Sequence, residues 1–123
     1  LATSMFIMWF SAIASAVVDN IPYVATMNQL VIDMGQGFWP GLEGTDLLHH
    51  PELMPVWWSL SLGACLGGNA TIVGASANVI TAGISEKSGF PITFRRFALY
   101  GIPLMIQSVL IASAYVWLRY YVF

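Results

Sequence analysis

The residues best suited to ion chemistry lie in two short polar segments inside long apolar runs. The first segment, residues 15–22, carries Ser15, Asp19 and Asn20 just before a proline. Hard cations prefer oxygen ligands, and this segment offers a hydroxyl, a carboxylate and an amide carbonyl. Because a charge at membrane depth is unfavourable, Asp19 is a candidate to take a proton or to bind Na⁺. The alternative is that Asp19 and Asn20 only cap a helix that begins near Ile21.

The second polar segment, residues 67–78, is rich in glycine. Its candidate ion- or substrate-binding positions are Gly67, Gly68, Asn69, Thr71, Gly74, Ser76 and Asn78. Glycines allow backbone groups to approach a ligand closely, and a helix beginning near residues 75–78 points its positive end into the break. Asn69 and Asn78 are neutral ligands suited to Na⁺ or to an oxyanion. The alternative is close helix packing through small residues, which leaves the two asparagines unexplained.

The composition predicts an integral membrane protein. Of the 123 residues, 58% are hydrophobic and 8% are charged, whereas soluble domains average about 25% charged residues. Residues 53–85 and 97–118 contain no charged side chain, and about 20 apolar residues span the hydrocarbon core. The lipid bilayer is therefore the expected surrounding. The sequence has no basic patch, so we expect no nucleic-acid partner. Cys65 lies in an apolar run and is expected to be buried.

The apolar pattern predicts an all-α multi-pass membrane fold in five segments. They are a re-entrant helical hairpin (1–34), an outer loop (35–54), a broken transmembrane helix (55–86), a cytoplasmic loop (87–96) and one full terminal transmembrane helix (97–118). A single kinked span is the alternative to the hairpin. The 87–96 loop carries three cations and the 35–54 loop three acids, so the positive-inside rule places 87–96 in the cytoplasm and 35–54 outside.

Two interrupted segments at membrane depth indicate a binding site. Irregular backbone survives there only where it lines a protein-enclosed or watery cavity, and paired interruptions are typical of secondary transporters. An intramembrane aspartyl protease needs two acids at depth and only Asp19 qualifies, so we expect no enzyme. No cofactor is expected beyond a coupling ion, Na⁺ or H⁺.

Residues 11–27 and 63–80 resemble a known family. The first stretch is similar to the second hairpin of the arsenite permease, sodium/proton antiporter and melanosomal P protein group. The second is similar to the penultimate helix of the P protein. This group belongs to the ion transporter superfamily, together with the citrate and divalent-anion/sodium symporters. The resemblance runs from about Ser11 to Tyr115. It implies a transporter of two inverted halves, of which this chain matches the C-terminal part, so the N-terminal half is an expected partner. A homodimer stays open.

The resemblance also implies roles for individual residues. In the anion/sodium symporters the hairpin tip carries a Ser-Asn-Thr motif, whereas here the tip reads Asp19, Asn20 and Ile21. Asn20 carries over, and the aspartate is shared with the antiporter and P protein branches, which favours a cation- or proton-coupled role. Five residues map to the second cation and substrate region: Gly68, Asn69, Thr71, Ser76 and Asn78.

The predicted function is a secondary active ion transporter, or permease, coupled to Na⁺ or H⁺ and working by alternating access. The candidate Na⁺ ligands are Asp19, Asn20, Asn69 and Asn78. Two alternatives stay open: an anion permease of the citrate or dicarboxylate type, and a non-transporting membrane fragment.

Overall fold

The computed structural model describes residues 1–122 and is all-helical over that range, which confirms the predicted helical class. Phe123 lies outside the described residues. In chain order the elements are α1 (Ala2–Ser15), α2 (Asn20–Phe38), α3 (Thr45–Leu48), α4 (Met54–Gly67), a 3₁₀ turn (Ile72–Gly74), α5 (Ser76–Lys87), α6 (Phe94–Trp117) and a π-helical turn (Leu118–Val122).

Helices α1 and α4 form the tightest contact of the molecule and run parallel. A Cβ atom added to Gly63 would meet the Met8 carbonyl oxygen, and one added to Gly67 would lie 2.5 Å from the Cα atom of Ala12. Because the contact positions advance together along both helices, the helices point the same way. Small residues permit this backbone-to-backbone approach, as in other membrane helix pairs.

Helix α6 packs against this pair in the opposite direction. At one end the Tyr121 hydroxyl lies 2.7 Å from Ser4 Oγ. At the other end Gly101 faces Ala70, and a Cβ atom added to Gly101 would lie 2.7 Å from the Ala70 carbonyl oxygen. The buried cluster between the three helices consists of Met8, Ala12, Ala70, Met105, Val109, Ala112 and Val116.

Helix α2 turns back along α1. The Tyr23 hydroxyl donates a hydrogen bond to Ser11 Oγ at 3.0 Å, whereas a continuous helix would separate these residues by roughly 18 Å. The reversal therefore takes place between the end of α1 at Ser15 and the start of α2 at Asn20. A second buried cluster contains Ile7, Val31, Leu47, Leu53, Val56 and Leu60.

Within the described residues, one helical stretch is long and apolar enough to cross a membrane. It runs from Phe94 to Val122, 29 residues that join α6 and the π-helical turn. Helix α1 is apolar but shorter. Helix α5 has no buried residue and packs chiefly on the 3₁₀ turn.

Three features differ from the sequence-based expectations. Helix α6 begins at Phe94 because the Thr93 side chain caps it, accepting from the Arg96 amide at 3.2 Å. The predicted 35–54 loop contains the end of α2 and all of α3. Cys65 is exposed and not buried, because α4 turns Gly63, Ala64 and Gly67 toward its neighbours and residue 65 lies on another face.

Candidate functional site

The Asp19 carboxylate joins the two polar segments. Asp19 is the N-cap of α2, and its Oδ1 accepts a hydrogen bond from the Ile21 amide at 3.1 Å. Its Oδ2 accepts from the Ser76 amide at 3.0 Å and from the Ser76 hydroxyl. Ser76 is the first residue of α5. One carboxylate therefore caps two helices whose starts are far apart in sequence, and the hairpin tip meets the break.

The break between α4 and α5 folds closely on itself. A Cβ atom on Gly68 would lie 2.9 Å from the Gly74 carbonyl oxygen, and one on Gly74 would lie 2.7 Å from the Gly68 carbonyl oxygen. The Ser15 carbonyl oxygen, at the end of α1, would also lie 3.0 Å from the Cβ atom on Gly74. These glycines thus gather backbone carbonyl oxygens, which carry partial negative charge, at the hairpin tip.

Asn78 and Thr71 fix the shape of the break. Asn78 Nδ2 donates to the Gly68 carbonyl at 2.7 Å and to the Thr71 carbonyl at 3.0 Å. The Thr71 hydroxyl donates to the Ala16 carbonyl, which ties the break to the residue after α1. Because both amide hydrogens of Asn78 donate within the break, its Oδ1 is the atom left for a ligand.

Ser15 and Gly67 hold the helices on which the site is built. Ser15 is fully buried, and its hydroxyl donates to the Ala64 carbonyl of α4 at 2.7 Å. Gly67 lies against Ala12 of α1. The structure therefore gives both residues a contact in the α1–α4 interface; a role in ion binding stays a prediction for them.

The two remaining candidate asparagines lie on different elements of the structure. Asn20 is the first residue of α2, next to Asp19. Asn69 is exposed and lines a groove of about 620 Å³ with Arg96, Tyr100 and Leu104. The structure thus brings Asp19 and Ser76 together, keeps Asn78 and Thr71 in the same break, and places Asn69 beside α6.

Gly101 and the carbonyls at the end of α1 contribute to the site although the sequence did not indicate them. Gly101 lets α6 approach the break, where a Cβ would meet the Asn69 carbonyl oxygen. A lone glycine in an apolar helix was the available signal. The Ser15 and Ala16 carbonyls carry no side-chain signal, since every residue has one.

The oxygen atoms gathered here are hard ligands. They come from one carboxylate, two hydroxyls, an amide and several backbone carbonyls, a set that suits an alkali cation or a proton better than a soft transition metal. The described residues contain no group of three or more His, Cys, Asp and Glu side chains that could hold a metal ion.

Comparison with known proteins finds relatives along nearly the whole chain. An uncharacterized transporter of Mycobacterium tuberculosis is 43% identical over 121 residues, which cover 98% of this chain and 26% of the relative. The P protein of Mus musculus is 40% identical over 118 residues, covering 93% of this chain and 13% of the relative. The Homo sapiens P protein is 37% identical over 119 residues, covering 94% and 13%. No family model and no solved structure matches the chain.

Proposed function

Because its relatives confirm the resemblance to the P protein group, we propose that this chain is part of a secondary active transporter that moves a small ion by alternating access, coupled to Na⁺ or H⁺. The mycobacterial relative is a transporter by name, and the chain spans 26% of its length. The proposal rests on one observation: the Asp19 carboxylate accepts hydrogen bonds from the Ser76 amide and hydroxyl, which joins two irregular segments of backbone.

The membrane arrangement we propose follows the directions of the helices. Helices α1 and α2 form a re-entrant hairpin, since α1 has 14 residues and reaches roughly 21 Å, less than the ~30 Å hydrocarbon core. Helices α4 and α5 with the turn between them form a broken helix running inward. Helix α6 then runs outward. Residues 35–54 are outside and residues 87–96 are cytoplasmic, because the cations Lys87, Arg95 and Arg96 lie there.

The chemistry we propose centres on the charge of Asp19. A proton or a Na⁺ ion at this carboxylate competes with the hydrogen bonds from Ser76, so occupancy changes how the hairpin tip is held to α5. The amide oxygens of Asn20 and Asn78 and the carbonyls of the break supply neutral ligands. Asn69, on the groove beside α6, contributes to the substrate path. In this proposal the N-terminal half of the transporter completes the site, and a homodimer stays open.

The alternative function is an anion permease, and one observation favours it. Asp19 does cap α2 through the Ile21 amide, so a purely structural role for the carboxylate is consistent with its geometry. In that case the start of α5 binds an oxyanion, and anion-driven flux does not depend on Asp19. A non-transporting membrane fragment is the third option; it requires that the protein has no second half to complete the site.

The proposal is tested by flux into proteoliposomes containing the full-length natural protein, under imposed Na⁺ and pH gradients. We expect Asp19→Asn to lose gradient-driven flux, because the amide keeps the shape of the side chain without its charge. The matched control is Asp33→Asn, since Asp33 is a carboxylate on α2 that accepts from Gln29 Nε2 at 2.9 Å. Full coupled flux in Asp19→Asn would move the assignment to the anion permease.

A further inference from the structure

The hydrogen-bond donors of Ser76, at the start of α5, already bind the carboxylate of Asp19. The Ser76 amide and hydroxyl both donate to Asp19 Oδ2, with the amide nitrogen 3.0 Å away. The first amides of a helix, together with its dipole, are the groups that free phosphate, sulfate or carboxylate ions use elsewhere. In this protein the Asp19 carboxylate already accepts from these donors, so they are not free to bind another oxyanion.

We propose that Asp19 is a specificity-determining residue that excludes free anions from the break. Its carboxylate fills the donors that a small oxyanion, such as a carboxylate or sulfate, would need. This inference rests on the proposed function, because it concerns the selectivity of the same site.

The carboxylate is held in this place from its own side as well. Its Oδ1 accepts from the Ile21 amide at 3.1 Å, so leaving Ser76 also disturbs the cap of α2. A tethered group competes at the high effective concentration that its attachment imposes, typically on the order of millimolar for short flexible connections. An incoming anion therefore has to displace a group that is permanently present, and then stay beside its negative charge.

The charges of the surrounding chain point the same way. Neither residues 15–22 nor residues 67–78 contain a Lys or Arg, and all four cationic side chains lie at residue 87 or beyond. The donors at the start of α5 are a backbone amide and a hydroxyl, and one carboxylate accepts from both, while the cation Arg96 lies on the groove beside Asn69. A cation, in contrast, gains from the same carboxylate and from the nearby carbonyls of Gly68 and Thr71.

The test is a measurement of anion binding that needs no transport. The purified full-length natural protein is titrated with succinate or sulfate, each as its Tris salt at constant ionic strength, and the melting temperature Tm is recorded. We expect Asp19→Ser to gain an anion-dependent rise in Tm, because serine still caps α2 but is too short to fill the donors of Ser76. The half-saturating anion concentration should fall about tenfold or more below any value seen with the wild type.

Two further variants keep the result interpretable. Asp33→Asn removes a carboxylate elsewhere on α2 and should respond like the wild type. Adding Ser76→Ala to Asp19→Ser removes one of the freed donors and should reduce the gain.

Equal protection of wild type and Asp19→Ser by succinate and sulfate overturns the inference, as does a folded Asp19→Ser protein that gains no response. If Asp19→Ser does not fold, Asp19→Asn takes its place and must show a gain in the same direction, or the inference fails. Because no gradient enters the assay, these outcomes are independent of whether Asp19→Asn loses coupled flux.

Discussion

The α1–α4 interface and the break between α4 and α5 both use glycines, but for different ends. In the interface, Gly63 and Gly67 bring the buried backbone of α4 against α1. In the break, each of Gly68 and Gly74 lies close to the carbonyl oxygen of the other, and the Asn78 side chain donates a hydrogen bond to the Gly68 carbonyl. The first region is joined by packing, and the second is joined mainly by hydrogen bonds.

This difference indicates which region is able to change during function. The α1–α4 contact buries Met8, Ala12, Leu60 and Ala64 almost completely, and close-packed surfaces resist gradual deformation. Helix α5 has no buried residue, and its described side-chain link to the hairpin is the Asp19–Ser76 pair. Switching elements commonly combine a rigid frame with a segment held by a few exchangeable contacts. We therefore expect α1 and α4 to act as the frame and the break to respond to the ion.

The largest expected effect comes from enlarging the frame. Gly67→Ala places a methyl group 2.5 Å from the Ala12 Cα atom, so the two backbones must separate. Overpacking of this kind typically costs about 3 kcal/mol or somewhat less. The measurement is the Tm of the purified full-length protein. Gly37→Ala is the matched control, because a Cβ at Gly37 has nothing within 4 Å. Equal Tm values for both variants would show that the interface is looser than described.

A change within the break should affect function more than folding. In Gly68→Leu the added Cβ lies 2.9 Å from the Gly74 carbonyl oxygen, so the close approach of the break to itself is blocked. We expect gradient-driven flux to be abolished while most of the protein remains folded, as judged by Tm and by gel filtration. Wild-type flux in Gly68→Leu would remove the break from the site.

The smallest expected effect separates a frame contact from an ion ligand. Ser15→Ala removes the hydrogen bond from Ser15 Oγ to the Ala64 carbonyl. That carbonyl still accepts from the Gly68 amide at 3.4 Å, so it is not left without a partner. Interhelical bonds of this type contribute about 1 kcal/mol in membranes, so Tm should fall slightly, and the ion dependence of flux should stay unchanged if the hydroxyl only joins the two helices. Ser108→Ala, which removes a bond within α6, is the control. A changed ion dependence in Ser15→Ala alone would make Ser15 a ligand.

Local signals in the sequence were sufficient for the longer helices and their interruptions, but not for α3. Asp19 and Pro22 in an apolar run indicated the first interruption, and the glycines from Gly67 to Gly74 indicated the second. The ends of the helices were harder to predict. Arg95 and Arg96 were placed in a loop because the sequence does not show that the Thr93 side chain caps α6. Similarly, α2 continues to Phe38 because Gly35 fits against Leu47 and Leu53, which no local pattern reveals.

The connection between the two polar segments could not be predicted residue by residue. Asp19 and Ser76 are 57 positions apart, and many polar side chains in both segments were plausible partners. The same holds for Thr71, whose hydroxyl reaches the Ala16 carbonyl. Such pairs depend on how α1 and α4 pack, and that packing depends in turn on small residues whose exact register is a property of the whole fold.

A double-mutant cycle shows whether the hairpin tip and the break form one site through Asp19 and Ser76. The Tm of the full-length protein is measured for the wild type, Asp19→Asn, Ser76→Ala and the double variant. Groups that share one contact give non-additive changes, whereas distant groups add. We predict that the double variant loses little more Tm than the more damaging single variant, while Asp33→Asn combined with Ser76→Ala is additive. Additive losses for Asp19→Asn and Ser76→Ala would mean that the two residues share no contact and that the two polar segments do not form one site.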